Sequence, residues 1–134
     1  MNRIIVLWAS VLGALAVLLG ALGAHALKEL LSPESLMSFN TGVRYQAWHA
    51  IALLVIGFSS FDFKFKKAVF RFWLFGALLF SGSIYLLSTS TITGIPSQFL
   101  GPITPIGGLL MITGWILLFM GALKGFSPKN QEES

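Results

Sequence analysis

The chain has 134 residues, 55% of them hydrophobic and only 10% charged, with a mean hydropathy of +0.81. Soluble domains carry about 25% charged residues, so this composition excludes a disordered chain, a DNA-binding module and a cytosolic enzyme, and leaves one small integral membrane domain. The net charge of +4 is then a topology signal rather than a nucleic-acid signal, and the lack of any cysteine excludes disulfides, thiolate chemistry and iron–sulfur ligation.

A membrane-spanning helix needs roughly 20 mostly apolar residues. Residues 4–27 carry no Lys, Arg, Asp or Glu and predict a first span. Ser32-Pro33-Glu34 then combines an N-cap, a proline at the first helical position and an acid in the first turn. A helix is expected to start there and to lead into a second span over 45–61, with Gly42 as the point where it would kink or break. From 72 to 123 there is no charged residue. That stretch is too long for one crossing, and Gly94, Pro96, Gly101, Pro102 and Pro105 interrupt it. It divides into a third span over 72–90 and a fourth over 105–123, the latter opened by a Thr104-Pro105 cap signal. The expected fold is therefore all-α: a polytopic membrane protein of four transmembrane helices, forming one domain over 1–126. A short polar tail, 127–134, follows and is expected to be mobile.

Lysines and arginines set the orientation. Arg3, Lys64, Lys66, Lys67, Arg71, Lys124 and Lys129 fall on one side, and only Lys28 and Arg44 on the other. Both termini are expected in the cytoplasm. The basic run at 64–71 reads first as this orientation signal. A seat for anionic lipid, helped by Phe61, Phe63 and Phe65, is the sharper alternative. Ala24-His25-Ala26 has the form of a signal-peptide cleavage site, but the apolar run before it is about twice the usual length. It is read as a span.

Small residues mark where helices approach in lipid. In the first span Ala9, Gly13, Ala16, Gly20 and Gly23 share one arc, and Ser10, Ala14, Ala21, Ala24 and His25 share the next. In the fourth, Gly107, Gly114 and Gly121 recur every seven residues, which suits a left-handed crossing near 20°. The expectation is that the first and fourth helices pack together on these faces. The alternative is that a glycine stripe joins two copies of the chain. No internal repeat supports an inverted-repeat transporter.

Polar residues at membrane depth are the candidate functional set. His25 closes the first span, and Tyr45, Gln46 and His49 share one side of the second. Ser81, Ser83 and Tyr85 interrupt the third, and Thr104 heads the fourth. Counting in from Lys28 and Arg44 at ~1.5 Å per residue places the two histidines roughly 5 and 8 Å inside one boundary, so a cluster in the outer half is expected. Such a cluster could cross-link the helices, relay protons or hold a metal, though two imidazoles are few ligands for zinc and no carboxylate lies within any span. For the same reason nucleophilic catalysis by Ser81 or Ser83 lacks an acid–base set. Arg44 is expected to snorkel, Trp8, Trp48 and Trp73 to anchor at the interfaces, and Trp115 to pack.

Four motifs in order carry a resemblance. They are Leu19-Gly20-Ala21-Leu22-Gly23-Ala24-His25, Thr41-Gly42-Val43-Arg44-Tyr45-Gln46-Ala47-Trp48-His49, Leu79-Phe80-Ser81-Gly82-Ser83-Ile84-Tyr85 and Thr104-Pro105-Ile106-Gly107-Gly108. Over about residues 4–124 the chain resembles the YgdD/YwdK-like family of small bacterial inner-membrane proteins, with Leu22 standing where phenylalanine is expected. The resemblance implies a four-helix inner-membrane protein and no known reaction, substrate or cofactor. The functional expectation is a structural or accessory component of a membrane assembly, not an enzyme. The alternative is a carrier or binding protein for a proton, metal or small molecule at the His/Tyr/Ser cluster. The expected partners are the lipid bilayer and either further copies or a larger membrane complex, with no nucleic acid and no cofactor.

Overall fold

The computed structural model describes residues 1–125 and 127–128. The long helices are α1 (Arg3–Ala24), α2 (Pro33–Phe58) and α3 (Lys66–Ser88), then, after the one-turn α4 (Ser90–Thr93), α5 (Ile103–Leu123). The only strands among the described residues are β1 (Phe61–Asp62) and β2 (Ser127–Pro128), paired antiparallel with Phe61 opposite Pro128. Of the tail expected over 127–134, these two residues are thus held against the α2–α3 connection. The remainder lies outside the described residues.

Local chemistry sets the ends. The Asn2 side chain accepts from the Ile5 amide at 3.3 Å, and the Asn2 amide donates to the Gly57 carbonyl at 2.7 Å, which ties the start of α1 to the end of α2. Ser32 caps α2 by accepting from the Ser35 amide at 3.2 Å, with Pro33 behind it, as the sequence predicts. The helix then runs through Gly42 without a break. α3 begins at Lys66, well before the expected 72. The Lys66 ammonium turns back to donate to the Phe61 carbonyl at 2.8 Å, satisfying the connection it has just left. Gly94, at φ +69°, ends α4 in the left-handed conformation that glycine adopts without strain. The Thr104-Pro105 pair does not cap α5. The helix starts two residues before the expected 105, at Ile103, and the Thr104 hydroxyl is directed sideways to α3.

Packing follows chain order: α1 on α2, α2 on α3, α3 on α5. The expected α1–α5 interface is not there, and the two glycine stripes serve different partners. Gly13, Gly20 and Gly23 face Ala50, Val43 and Phe39 of α2, whereas Gly107, Gly114 and Gly121 face Phe80, Trp73 and Phe63, on and just before α3. Short connections make sequence neighbours spatial neighbours, and this wins over matching one stripe to another. Along α5 and α3 the opposed pairs are Thr104 with Ser83, Gly107 with Phe80, Met111 with Gly76 and Gly114 with Trp73. The alternating three- and four-residue steps are those of left-handed, near-antiparallel packing.

The core near the termini is apolar, built from Ile5, Ala9, Leu12, Leu53, Val69 and Trp73. Trp73 is 1% exposed, so it is a core residue and not the interfacial anchor its position suggests. At the opposite end a smaller cluster joins Leu27, Leu31 and Phe39, with Tyr85 packed on it. Large apolar side chains such as Val17, Leu18, Ile51, Val55, Leu109 and Phe119 point outward. A water-soluble surface would not carry them in such density. α1, α3 and α5 are long and apolar enough to cross a membrane. α2, the longest helix, carries Arg44, Gln46 and His49 through its middle and so has the weaker hydropathy of the four.

Candidate functional site

The polar residues of the helices make several separate cross-helix hydrogen bonds. Gln46, buried in the middle of α2, makes two of them. Its amide nitrogen donates to the Leu12 carbonyl of α1 at 2.8 Å, and its amide oxygen accepts from the Tyr85 hydroxyl of α3 at 2.9 Å. One side chain thereby joins three helices. The Ser81 hydroxyl donates to the Gly42 carbonyl at 2.7 Å. Gly42 makes this reachable: a Cβ there would lie 2.8 Å from the Tyr85 ring, so only glycine lets α3 come that close. Ser83 donates to the Phe80 carbonyl at 3.0 Å and accepts from Thr104 of α5 at 2.7 Å, because its single proton is already committed.

His49 forms the other junction. Its Nδ1 lies 2.8 Å from the Tyr45 carbonyl, and a carbonyl only accepts, so Nδ1 carries the proton. Its Nε2 then accepts from the Trp115 indole N–H of α5 at 3.2 Å. This network fixes the neutral Nδ1–H tautomer, since a proton on Nε2 would face another donor. Around the imidazole, Trp73 stands edge-on at 5.8 Å and meets the Trp115 ring at 4.6 Å, tilted by 51°. The Trp73 indole N–H has no hydrogen-bond partner among the described residues. Tyr45 packs its ring against Trp48 and Phe80 at 5.3 and 5.0 Å and contributes to the network through its carbonyl.

His25 stands apart. It is exposed, at the C-terminal cap of α1. The contacts of α1 with α2 fix the relative depth: Gly23 lies against Phe39 and Asn40, Gly20 against Val43, Gly13 against Ala50, and Gly57 against Val6. His49 is therefore level with the middle of α1, and His25 is level with about residue 38 of α2. Roughly eleven helical residues, or ~16 Å, separate the two imidazoles along the axis. The expected common depth fails because Arg44 does not mark the start of a helix. It sits about three turns inside α2. Trp48, half-exposed, shares the level of His49 and is likewise not at a helix end.

The structure thus joins Tyr45, Gln46, His49, Ser81, Ser83, Tyr85 and Thr104 through interhelical contacts and leaves His25 out. Reasoning from sequence missed two participants. One is Trp115, read as packing alone, although an indole N–H at membrane depth calls for an acceptor. The other is the carbonyl of Leu12, which no side-chain pattern advertises.

The family model described as "Protein of unknown function (DUF423)" matches residues 19–108, a segment that holds His25 and every member of the network except Leu12 and Trp115. The UPF0382 membrane protein of Haemophilus influenzae is 41% identical over 116 residues, covering 86% of this chain and 90% of the relative. The UPF0382 membrane protein YwdK of Bacillus subtilis is 36% identical over 125 residues, covering 91% and 98%. The UPF0382 inner membrane protein YgdD of Escherichia coli is 30% identical over 128 residues, covering 92% of each. No solved structure matches the chain. With the matched segment and the relatives spanning nearly all of the bridged helices, the chain belongs to this DUF423 (UPF0382) family of membrane proteins, to which no activity is assigned.

Proposed function

We propose that the protein is a non-enzymatic structural or accessory component of an assembly in the bacterial inner membrane, crossing it four times with both termini in the cytoplasm. The observation that carries this reading is the commitment of the intramembrane polar groups. Gln46, His49, Ser81, Ser83, Tyr85 and Thr104 all hold one helix to another, and both ring nitrogens of His49 are engaged. Such a set stabilises a scaffold. The Trp73 indole N–H has no partner among the described residues, but it is buried in the core and offers a carrier no open site, and the second imidazole that would extend the cluster lies ~16 Å away along the helix.

A fourth crossing by α2 is supported by its length and by its packing between α1 and α3. Gln46 and His49 lower its hydropathy, but they are buried against the other helices, not against lipid. The orientation is supported by Arg3, Lys64, Lys66, Lys67, Arg71 and Lys124 gathering at the end that holds the termini. The inner membrane is supported by the name of the Escherichia coli relative, an inner membrane protein. Because the chain has no cysteine, single cysteines at positions 28 and 124 would test the topology with an impermeant maleimide. Labelling of intact cells at 28 and not at 124 is expected.

Native mass spectrometry of the protein released from its own membrane tests the role. A defined heavier complex that persists in the His49→Ala variant is expected. A small non-lipid mass, bound by the wild type and lost in that variant, would replace the accessory reading with a binding one.

A further inference from the structure

α3 opens on a cluster of cations that the fold does not use. Lys66 is accounted for, since it is buried and donates to the Phe61 carbonyl. Lys64, Lys67 and Arg71 are exposed, and so is Lys124 at the end of α5. Among the described residues none of these four has an ion-pair partner. The carboxylate of nearby Asp62 accepts from the Phe63 amide at 3.0 Å. Even with Lys129, Glu132 and Glu133 of the tail counted, seven Lys and Arg of the sequence belong with this end against three Asp and Glu.

An orientation signal explains the sign of these charges but not their arrangement. Cations anywhere in the connection would set the topology. These are placed against one another. Lys64 and Lys124 each stand 5.7 Å from the centroid of the Phe65 ring, so at most twice that distance separates two like charges from remote parts of the chain. The ring attracts both, and its own packing against the core fixes where they meet. Lys67 lies in the first turn of α3, the positive end of the helix dipole, where an acid stabilises and a cation does not. That turn has no acid and no side-chain cap. Arg71 follows Lys67 by four residues, which makes a like-charge pair on one helix face. Local rules broken together at one place point to function there, and a negative charge at the head of α3 relieves all three conflicts.

We propose that this end of α3 binds an anionic phospholipid, its phosphodiester held by Lys67 and Arg71 and its acyl chains laid along the apolar side of the helix beneath them. Steps of four and three residues carry one face of α3 from Lys67 through Arg71 to Phe75 and Leu78. Phe75 and Leu78 are 55% and 43% exposed, so the apolar part of that face is open. Arg71 to Leu78 spans ~10 Å of helix, which fits within one leaflet's hydrocarbon of roughly 15 Å. The Arg71 guanidinium can pair two phosphate oxygens, and the Lys67 ammonium adds a point charge. A free phosphate would use these cations and leave the apolar stripe idle, whereas a lipid uses both. Exposed Phe61 adds an interfacial aromatic beside them, while Phe63 and Phe65 pack inward. The proposal requires that α3 crosses a membrane, for which it is long and apolar enough, and does not depend on the accessory role.

The test uses the full chain in mixed micelles of phosphatidylglycerol and phosphatidylcholine with matched acyl chains, at low ionic strength, read by native mass spectrometry. Both lipids carry a phosphodiester, but only phosphatidylglycerol keeps a net negative charge. The wild type is expected to retain phosphatidylglycerol over phosphatidylcholine by about tenfold, which two cations near a membrane surface supply at roughly fivefold each. Arg71→Gln should cut the ratio to about threefold, and Lys67→Gln combined with Arg71→Gln should bring it close to one. Arg3→Gln removes one charge from the same end but on α1, which packs on α2, and should leave the ratio unchanged. Equal losses in Arg3→Gln and Arg71→Gln overturn the proposal, because the cations then act only as a diffuse field. Equal retention of both lipids by the wild type overturns it as well. In phosphatidylcholine alone the double variant should unfold no lower than the wild type, since it loses like charges and no ion pair. A lowered midpoint there would mean that Lys67 and Arg71 hold the fold together, and would also overturn the proposal.

Discussion

Two helix pairs in this molecule are lined by glycine, and they use it differently. Between α3 and α5 the backbones come so close that a Cβ on Gly107 would collide with the Phe80 backbone, and one on Gly76 would lie 2.9 Å from the Met111 amide. Between α1 and α2 the middle is open. A Cβ on Gly13 would meet only Ala50, at 3.9 Å, and one on Gly20 would sit 3.4 Å from Val43. That pair tightens only toward its ends, where Gly57 approaches Val6 and Gly23 approaches Asn40. In lipid, where apolar burial does not drive association, close contact and hydrogen bonds carry the energy. The α3–α5 pair relies on contact along its length with one hydrogen bond, Ser83 to Thr104, near its end, and α1–α2 on contact at its ends with a hydrogen bond from Gln46 between them.

The largest effect should therefore come from Gly107→Ala. The obstacle is backbone, which no rotamer change removes, so α3 and α5 must separate along their length. A loss of about 3 kcal/mol is expected, the upper part of the overpacking range, read as a lowered unfolding midpoint in mild detergent. Gly121→Ala meets the Phe63 ring at 2.7 Å, a side chain that can turn, and should cost less. Equal tolerance of both changes would mean that α5 is not seated on α3 as described.

The same contrast explains what was legible in the sequence. The uninterrupted apolar runs revealed α1, α3 and α5, and the Ser32-Pro33-Glu34 signal revealed the start of α2, because capping chemistry is local. The partner of each glycine stripe was hidden. A stripe reports that something comes close, not what, and both α1 and α5 carry one. Connection length held the answer, since short links make neighbours of successive helices. The depth of His49 was misjudged for a related reason. Arg44 reads as the edge of the second span, and even with a snorkelling side chain it is not a helix end, because α2 begins at Pro33, about three turns earlier. The right residue types for the network were visible, but membership depended on register. His25 fell out and Trp115 came in only once α2 was placed against α1 and α5.

A middle-sized effect sharpens the comparison from the α1–α2 side. Gln46→Leu removes two bonds at once and leaves the Leu12 carbonyl and the Tyr85 hydroxyl without their partner. Polar bonds between membrane helices are worth about 0.6 kcal/mol on average and up to about 1.7, so a loss of about 1–2 kcal/mol is expected. Trp115→Phe removes only the bond to His49 and should cost about 0.6 kcal/mol by the same scale. Combining Gln46→Leu with Tyr85→Phe should cost less than the two changes separately, because the second removes the hydroxyl that the first strands. Strict additivity would mean that the pair does not interact.

The smallest effect is the most discriminating. Gly13 borders an apolar groove of about 350 Å³ between α1 and α2, lined also by Ala16, Ala47, Ala50 and Leu54. A methyl added at Gly13 enters open space at ordinary contact distance, and alanine is the better helix former by roughly 0.8–1.0 kcal/mol in an aqueous helix. Gly13→Ala should therefore leave the unfolding midpoint unchanged or raise it slightly, although Gly13 and Gly107 look alike in the sequence. If Gly13→Ala destabilised the protein as much as Gly107→Ala, the groove could not be open in the folded protein. Either α1 and α2 would sit closer than they do here, or something other than lipid would fill the space between them. A parallel measurement of oligomeric state separates these outcomes: the first leaves it unchanged, whereas a second copy of the chain in the groove would be released by the added methyl.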